Sequence, residues 1–127
     1  MSHFLSIISK NEFENADPLC ILISHKDSRT FGRLEVPPYK YFLSWQSNRV
    51  DPVVKLLDNG NYLFIGIDQE VVALDTKTAR IKFKIGTVSL FKDVREVENT
   101  LKIECESSEI YLNASNLSLK KIVLITD

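Results

Sequence analysis

Asn61-Tyr62-Leu63-Phe64-Ile65-Gly66-Ile67-Asp68-Gln69-Glu70-Val71-Val72-Ala73-Leu74-Asp75-Thr76-Lys77-Thr78-Ala79-Arg80-Ile81-Lys82-Phe83-Lys84-Ile85 is the stretch on which the fold turns. Residues 62–67 are an apolar run of strand length, Asp68-Gln69-Glu70 is a turn, residues 71–74 are a second apolar run, and residues 75–78 are a second turn. From residue 80 onward basic and apolar residues alternate. Arg80, Lys82 and Lys84 face one way, and Ile81, Phe83 and Ile85 face the other. A period of two marks a strand with one wet face and one buried face. Just upstream, Val53-Val54-Lys55-Leu56-Leu57 is strand-like, and Asp58-Asn59-Gly60-Asn61 supplies a hairpin turn from residues that tolerate positive φ. Together these predict a four-stranded up-and-down meander.

The same pattern recurs downstream. Asn61 and Asn99 are 99 − 61 = 38 residues apart, and that offset aligns the residues after each of them without a gap. Leu63 falls on Leu101, Ile65 on Ile103, Ile67 on Cys105, Val72 on Ile110, Leu74 on Leu112, Asp75 on Asn113 and Ile81 on Leu119. Apolar positions match apolar positions, and turn acids match turn-formers. Periods of about 40 residues holding several short strands are the signature of propeller blades.

Residues 61–85 resemble a blade of the quinoprotein-like β-propellers, which carry the PQQ repeat. Gly66, Asp68, Ala73-Leu74-Asp75 and Thr78 match that blade motif, while Ala79 stands in place of its turn glycine and Phe83 in place of its tryptophan. The resemblance extends over residues 61–125 and implies a blade-like shape. It carries over no catalytic, cofactor or metal residue, because a chain of this length is too short for a ring of about four to eight blades. Two blades leave open faces and edges. The N-terminal half can cover them, the sheets can collapse into a sandwich or open barrel, or chains can associate.

The N-terminal half is less regular. Phe4, Ile7 and Ile8 are spaced for a short helical stripe, and Asp17-Pro18 ends whatever precedes it. Residues 19–24 are a continuous apolar run of strand length, with Leu34-Glu35-Val36 as hairpin partner and Pro37-Pro38 marking a sheet edge or crossing loop. Residues 39–45 form an aromatic cluster that reads as a further strand or a strap over a core. The expectation is one all-β domain over residues 1–127. In it, residues 1–51 are an N-terminal segment with a possible short helix, and residues 52–127 are two blade-like repeats packed as a partial propeller, sandwich or open barrel.

Composition narrows the function classes. With 127 residues, 44% of them hydrophobic, and only 4 Gly and 4 Pro, the chain can build a core without staples. A net charge of −1 provides no field to draw nucleic acid. Phe83 faces away from the basic strip of Arg80, Lys82 and Lys84, so that strip reads as a solvated strand face rather than a nucleic-acid platform. The start of the chain has no basic region ahead of an export-length apolar run, and no stretch approaches the ~20 apolar residues needed to span a bilayer. A cytoplasmic protein without membrane association is therefore expected.

Candidate chemistry is sparse. Asp58, Asp68 and Glu70 read as hairpin-turn acids rather than a calcium loop. His3, His25, Cys20 and Cys105 lack metal-ligand spacing, and both cysteines read as small core residues. Cys20, His25 and Asp27 can be drawn as a nucleophilic set, but Cys20 lies in a predicted core strand. No catalytic, cofactor or metal site is expected. The candidate partner surface is Tyr39, Tyr41, Trp45 and Arg49, with Phe42 in the same cluster, because these residue types are enriched at interaction hot spots; core filling is the competing reading. The function expected is non-enzymatic protein interaction or scaffolding, with regulation or toxin neutralisation as concrete forms, and with another protein or a second copy as partner. The alternative is a small-ligand binder or cryptic enzyme with a pocket between the two meanders, near Asp68, Glu70 or Glu106.

Overall fold

A computed structural model describes residues 2–46, 50–58 and 60–125. The fold is all-β, with three four-stranded sheets, none closed into a barrel among the described residues. The chain divides into two compact units, Met1–Asp51 and Pro52–Asp127.

The first unit holds strands β1 (Phe4–Ile8), β2 (Ile21–Ile23), β3 (Thr30–Val36) and β4 (Tyr39–Trp45), in the order β1-β3-β4-β2. The predicted helical stripe of Phe4, Ile7 and Ile8 is instead β1, paired antiparallel with β3 from Phe4↔Glu35 to Ile8↔Phe31. A five-residue helix gains little by itself in water, whereas aliphatic and aromatic residues gain from a neighbouring strand. The helix comes immediately afterwards. In α1 (Lys10–Glu14) the Ser9 hydroxyl caps the first turn, accepting the Glu12 N–H at 3.1 Å.

Residues 19–24 do not form one strand. The Asp17 carboxylate accepts the Leu19 N–H at 3.0 Å, and Pro18 opens a 3-10 turn, Pro18–Cys20, so β2 starts only at Ile21. Its partner is β4, in parallel, rather than residues 34–36. Those residues belong to β3, which forms a hairpin with β4 from Thr30↔Trp45 to Val36↔Tyr39. Pro37-Pro38 is the turn of that hairpin, where neither residue owes a ladder N–H; it is not a sheet edge or crossing loop. Gly32 faces the Trp45 ring so closely that a Cβ there would lie 2.9 Å from its Cζ3. Arg33 ties α1 to the sheet through Glu12 at 2.6 Å and Glu35 at 2.9 Å.

The second unit consists of two antiparallel meanders in simple order. The first is β5 (Val53–Leu56), β6 (Tyr62–Ile67), β7 (Glu70–Asp75) and β8 (Ile81–Gly86). The second is β9 (Phe91–Val97), β10 (Thr100–Cys105), β11 (Ser108–Asn113) and β12 (Leu119–Leu124). Shifted by 38 positions, β6, β7 and β8 land on β10, β11 and β12 at both ends.

Irregularities recur at the same offset. The ladder slips between Ala73 and Leu74 in one sheet and between Tyr111 and Leu112 in the other, where 73 + 38 = 111. Ala79 and Leu117 both have positive φ, 60° and 61°. The turns also match, with Ala79 N–H donating to the Asp75 carbonyl at 2.9 Å and Leu117 N–H to the Asn113 carbonyl at 2.7 Å. Of the Asp58-Asn59-Gly60-Asn61 turn, Asn59 lies outside the described residues.

The core of this unit shows how the sheets meet. The first sheet contributes Tyr62, Phe64, Val71 and Ala73, with Phe83 and Ile85 packed alongside. The second contributes Leu101, Ile103, Cys105, Ile110 and Leu112, which are the +38 counterparts of Leu63, Ile65, Ile67, Val72 and Leu74. Side chains alternate across a strand, so the two sheets use opposite faces at their junction. The packing is head-to-tail. Gly66 makes the closest approach: the Phe91 ring, at the start of the second sheet, lies against it, and a Cβ there would meet Cζ at 2.5 Å and Cδ1 at 2.6 Å. Lys55 donates to the Val94 carbonyl at 2.8 Å and the Asp58 N–H donates to Glu96 at 3.1 Å, closing the other end of the junction.

Candidate interaction surface

The residues singled out by sequence do not assemble into one surface. The Trp45 side chain is 0% exposed and Tyr41 is buried, so both fill the core of the first unit; Phe42, from the same cluster, is partly buried. Burial, with Tyr39 and Cys20 nearby, pushes the Tyr41 phenol above its ordinary value. Tyr39 is exposed at the tip of the β3–β4 hairpin. Arg49 lies outside the described residues. Trp45 and Tyr41 do not serve as surface hot spots because large aromatics on a central strand serve packing first.

Asp68 lies in a turn and Glu106 in the connection between β10 and β11, whereas Glu70 opens β7. The Asp68 carbonyl accepts the Phe91 N–H at 2.7 Å, Glu70 pairs with Lys84 at 3.4 Å, and the Glu106 N–H donates to the Leu90 carbonyl at 2.8 Å. None of the three lines the apolar cleft between the meanders. Among the described residues no three His, Cys, Asp or Glu side chains converge as metal ligands. Cys20 sits in the 3-10 turn and not in a strand, and is half-buried. Cys105 is buried, which pushes its thiol up, with hydrogen bonding to Ser108 and Thr87 opposing that rise. Such a thiol is a poor nucleophile. No helix among the described residues is long and apolar enough to cross a membrane.

Two faces of the second sheet stand out instead. On the side away from the core, charges interlock across the strands. Lys102 meets Glu109 at 2.7 Å and Glu104 at 3.7 Å, Arg95 meets Glu104 at 3.1 Å, and the Tyr111 hydroxyl donates to Glu109 at 3.1 Å. Lys121 sits 4.7 Å above the Tyr111 ring. Hydrogen bonding from Lys102 holds the Glu109 carboxyl below its usual range, and the same contact raises Lys102. Burial and the bond to Glu109 push Tyr111 up.

On the core side, the outermost strand continues the apolar face past the point where the first sheet covers it. Ile122 pairs with Ile110, and Leu119 with Leu112, so they share the inward face. Yet Leu119 is 60% exposed, Ile122 51% and Leu124 62%. Beside them lies a cleft of about 230 Å³, lined by Phe83, Ile85, Ile110, Leu112, Leu117 and the same Leu119 and Ile122. Sequence reading aligned Leu119 with Ile81 as a core position and so missed this row. The signal was present: Leu119 to Ile125 holds five aliphatics in the last strand of a meander, which has a neighbour on one side only.

No protein-family model matches this chain, and comparison with curated proteins gives no significant match.

Proposed function

We propose that the chain is a non-enzymatic protein-interaction module, in which two blade-like sheets of the quinoprotein-propeller kind present their outer strands to a partner. The observation that carries the reading is the exposed aliphatic row of β12 beside an apolar cleft. Contiguous exposed apolar surface on a folded chain marks interaction sites, whereas singly scattered apolar residues do not. The blade-like part is supported by the shared 38-residue offset, the matching ladder slips and the head-to-tail use of sheet faces. In a ring or stack of like blades, each sheet meets its neighbour by opposite faces.

The rival is a small-ligand binder with its pocket between the meanders. The cleft found there is about 230 Å³, below the ~300–1,000 Å³ that drug-sized ligands occupy. Its lining offers hydrocarbon and no convergent polar side chain, which suits one or two aliphatic side chains of a partner. A thermal-shift panel of quinones, sugars, nucleotides and divalent ions on the full chain tests the choice. Interaction without ligand chemistry predicts no shift from any of them. Saturable stabilisation of about 2.7 kcal/mol at a hundredfold excess over the dissociation constant refutes the proposal.

A further inference from the structure

Resting on that interaction reading, we infer that β12 is a docking edge for an extended, acidic and aliphatic segment of a partner protein, which adds as a further strand beyond residues 121–124. Three features of the strand converge on this occupant. It closes the sheet order β12-β11-β10-β9, so its outward backbone N–H and C=O groups have no further strand of that sheet beside them. Its core-side row of Leu119, Ile122 and Leu124 is already aligned with the apolar face of β11. The strand itself carries Lys120 and Lys121 and no acid. An added strand places alternate side chains on opposite faces. One set rests on Ile122 and Leu124, and the other falls on the side of Lys121.

Charge selects the partner. Natural sheets blunt open edges with lysine, which discourages pairing between like copies. Self-pairing of β12 would gather Lys120 and Lys121 from both molecules in one ribbon, where like charges face each other at a cost. An acidic segment meets the same lysines favourably. The ladder slip between Tyr111 and Leu112 leaves Lys120 as the extra residue, so regular pairing is open only beyond it. This recognition mode is strand addition, with main-chain hydrogen bonds supplying affinity and alternate side chains supplying selectivity.

The test uses a synthetic peptide of about nine residues, a normal strand length, that alternates Glu with Val, together with a Lys/Val counterpart. Titration into the full chain is followed by amide hydrogen exchange and by fluorescence anisotropy of labelled peptide. The expected result is saturable binding of the Glu/Val peptide with new protection confined to the β12 amides. Affinity should fall at least tenfold in Ile122→Lys and weaken with salt in the parent chain. The Lys/Val peptide should not bind. Equal binding of both peptides, protection elsewhere, or no binding of the Glu/Val peptide overturns the inference. Concentration-dependent protection of β12 without any peptide overturns it in favour of a second copy. Failure here is distinct from failure of the interaction reading: a defined partner that binds parent and Ile122→Lys equally removes β12 and leaves the module intact. Ligand stabilisation in the thermal-shift panel removes the module.

Discussion

Gly66→Ala is the sharpest probe of how the two sheets of residues 52–127 are joined. The added methyl would sit 2.5 Å from Cζ and 2.6 Å from Cδ1 of Phe91, on a ring that is itself buried. Three ring atoms are affected, so the ring must swing away and lose packing instead of yielding at its tip. Overpacking of this severity costs about 2–3 kcal/mol. Alanine is better than glycine inside a strand by about 0.5–1 kcal/mol, so the net loss should be about 1–2.5 kcal/mol. Urea unfolding reads this as a lower midpoint at unchanged slope.

The decisive comparison is a double-mutant cycle with Phe91→Ala. That change alone costs about 3–5 kcal/mol. Without the ring nothing opposes the methyl, and Gly66→Ala should then stabilise by about 0.5–1 kcal/mol. The sign inverts, giving a coupling of about 2–3 kcal/mol between the two positions. Should the Phe91→Ala background fail to fold, Phe91→Val removes the ring and keeps a strand-forming residue. A Gly66→Ala penalty that is the same with and without the ring would refute the close approach as its cause.

Other outcomes rest on the same geometry. Ala79→Gly should stabilise by about 0.5–1 kcal/mol, because Ala79 has φ 60° and only glycine adopts that conformation without strain. Leu117→Gly, at φ 61°, should instead destabilise by about 2–5 kcal/mol, since its side chain is buried in the core; chemical unfolding measures both. The Glu109 carboxyl should titrate below its ordinary range by NMR and move up in Lys102→Met. Its folded value is depressed, so its contribution to stability is complete above the unfolded carboxylate value and lost as pH falls through the folded one. A thiol reagent near neutral pH should modify half-buried Cys20 in the native chain and reach Cys105 only after denaturant is added.

The C-terminal half was legible because its strands announce themselves locally. Asp75 and Asn113 open turns with their own carboxylate or amide, accepting the N–H two residues on at 2.8 Å, and short aliphatic runs flank those turns. The N-terminal half was not, because its pairings are set at a distance. Phe4, Ile7 and Ile8 fit a helical stripe until β3 offers itself 23 to 31 positions along the chain. Ser9 and Glu12 carried a helix-start signal that a search for apolar periodicity passes over. The exposed apolar row of β12 escaped notice for a related reason. Residue type alone cannot tell Trp45 in a central strand from Ile122 in an outer one, since sheet order decides which is covered.

The charged lattice over Lys102, Glu104, Glu109 and Tyr111 occupies the positions that Phe64, Gly66, Val71 and Ala73 hold one sheet earlier. Because stacked sheets of this kind touch by unlike sides, their growth has a direction, and a surface ready for the next sheet would also welcome a stranger. Restoring hydrocarbon at Lys102, Glu109 and Lys121 would create a one-way adhesive contact, the kind that propagates into open fibres when no rotation closes it. The ion pairs thus keep this side of the second sheet wet, where aliphatic residues would have made it adhesive.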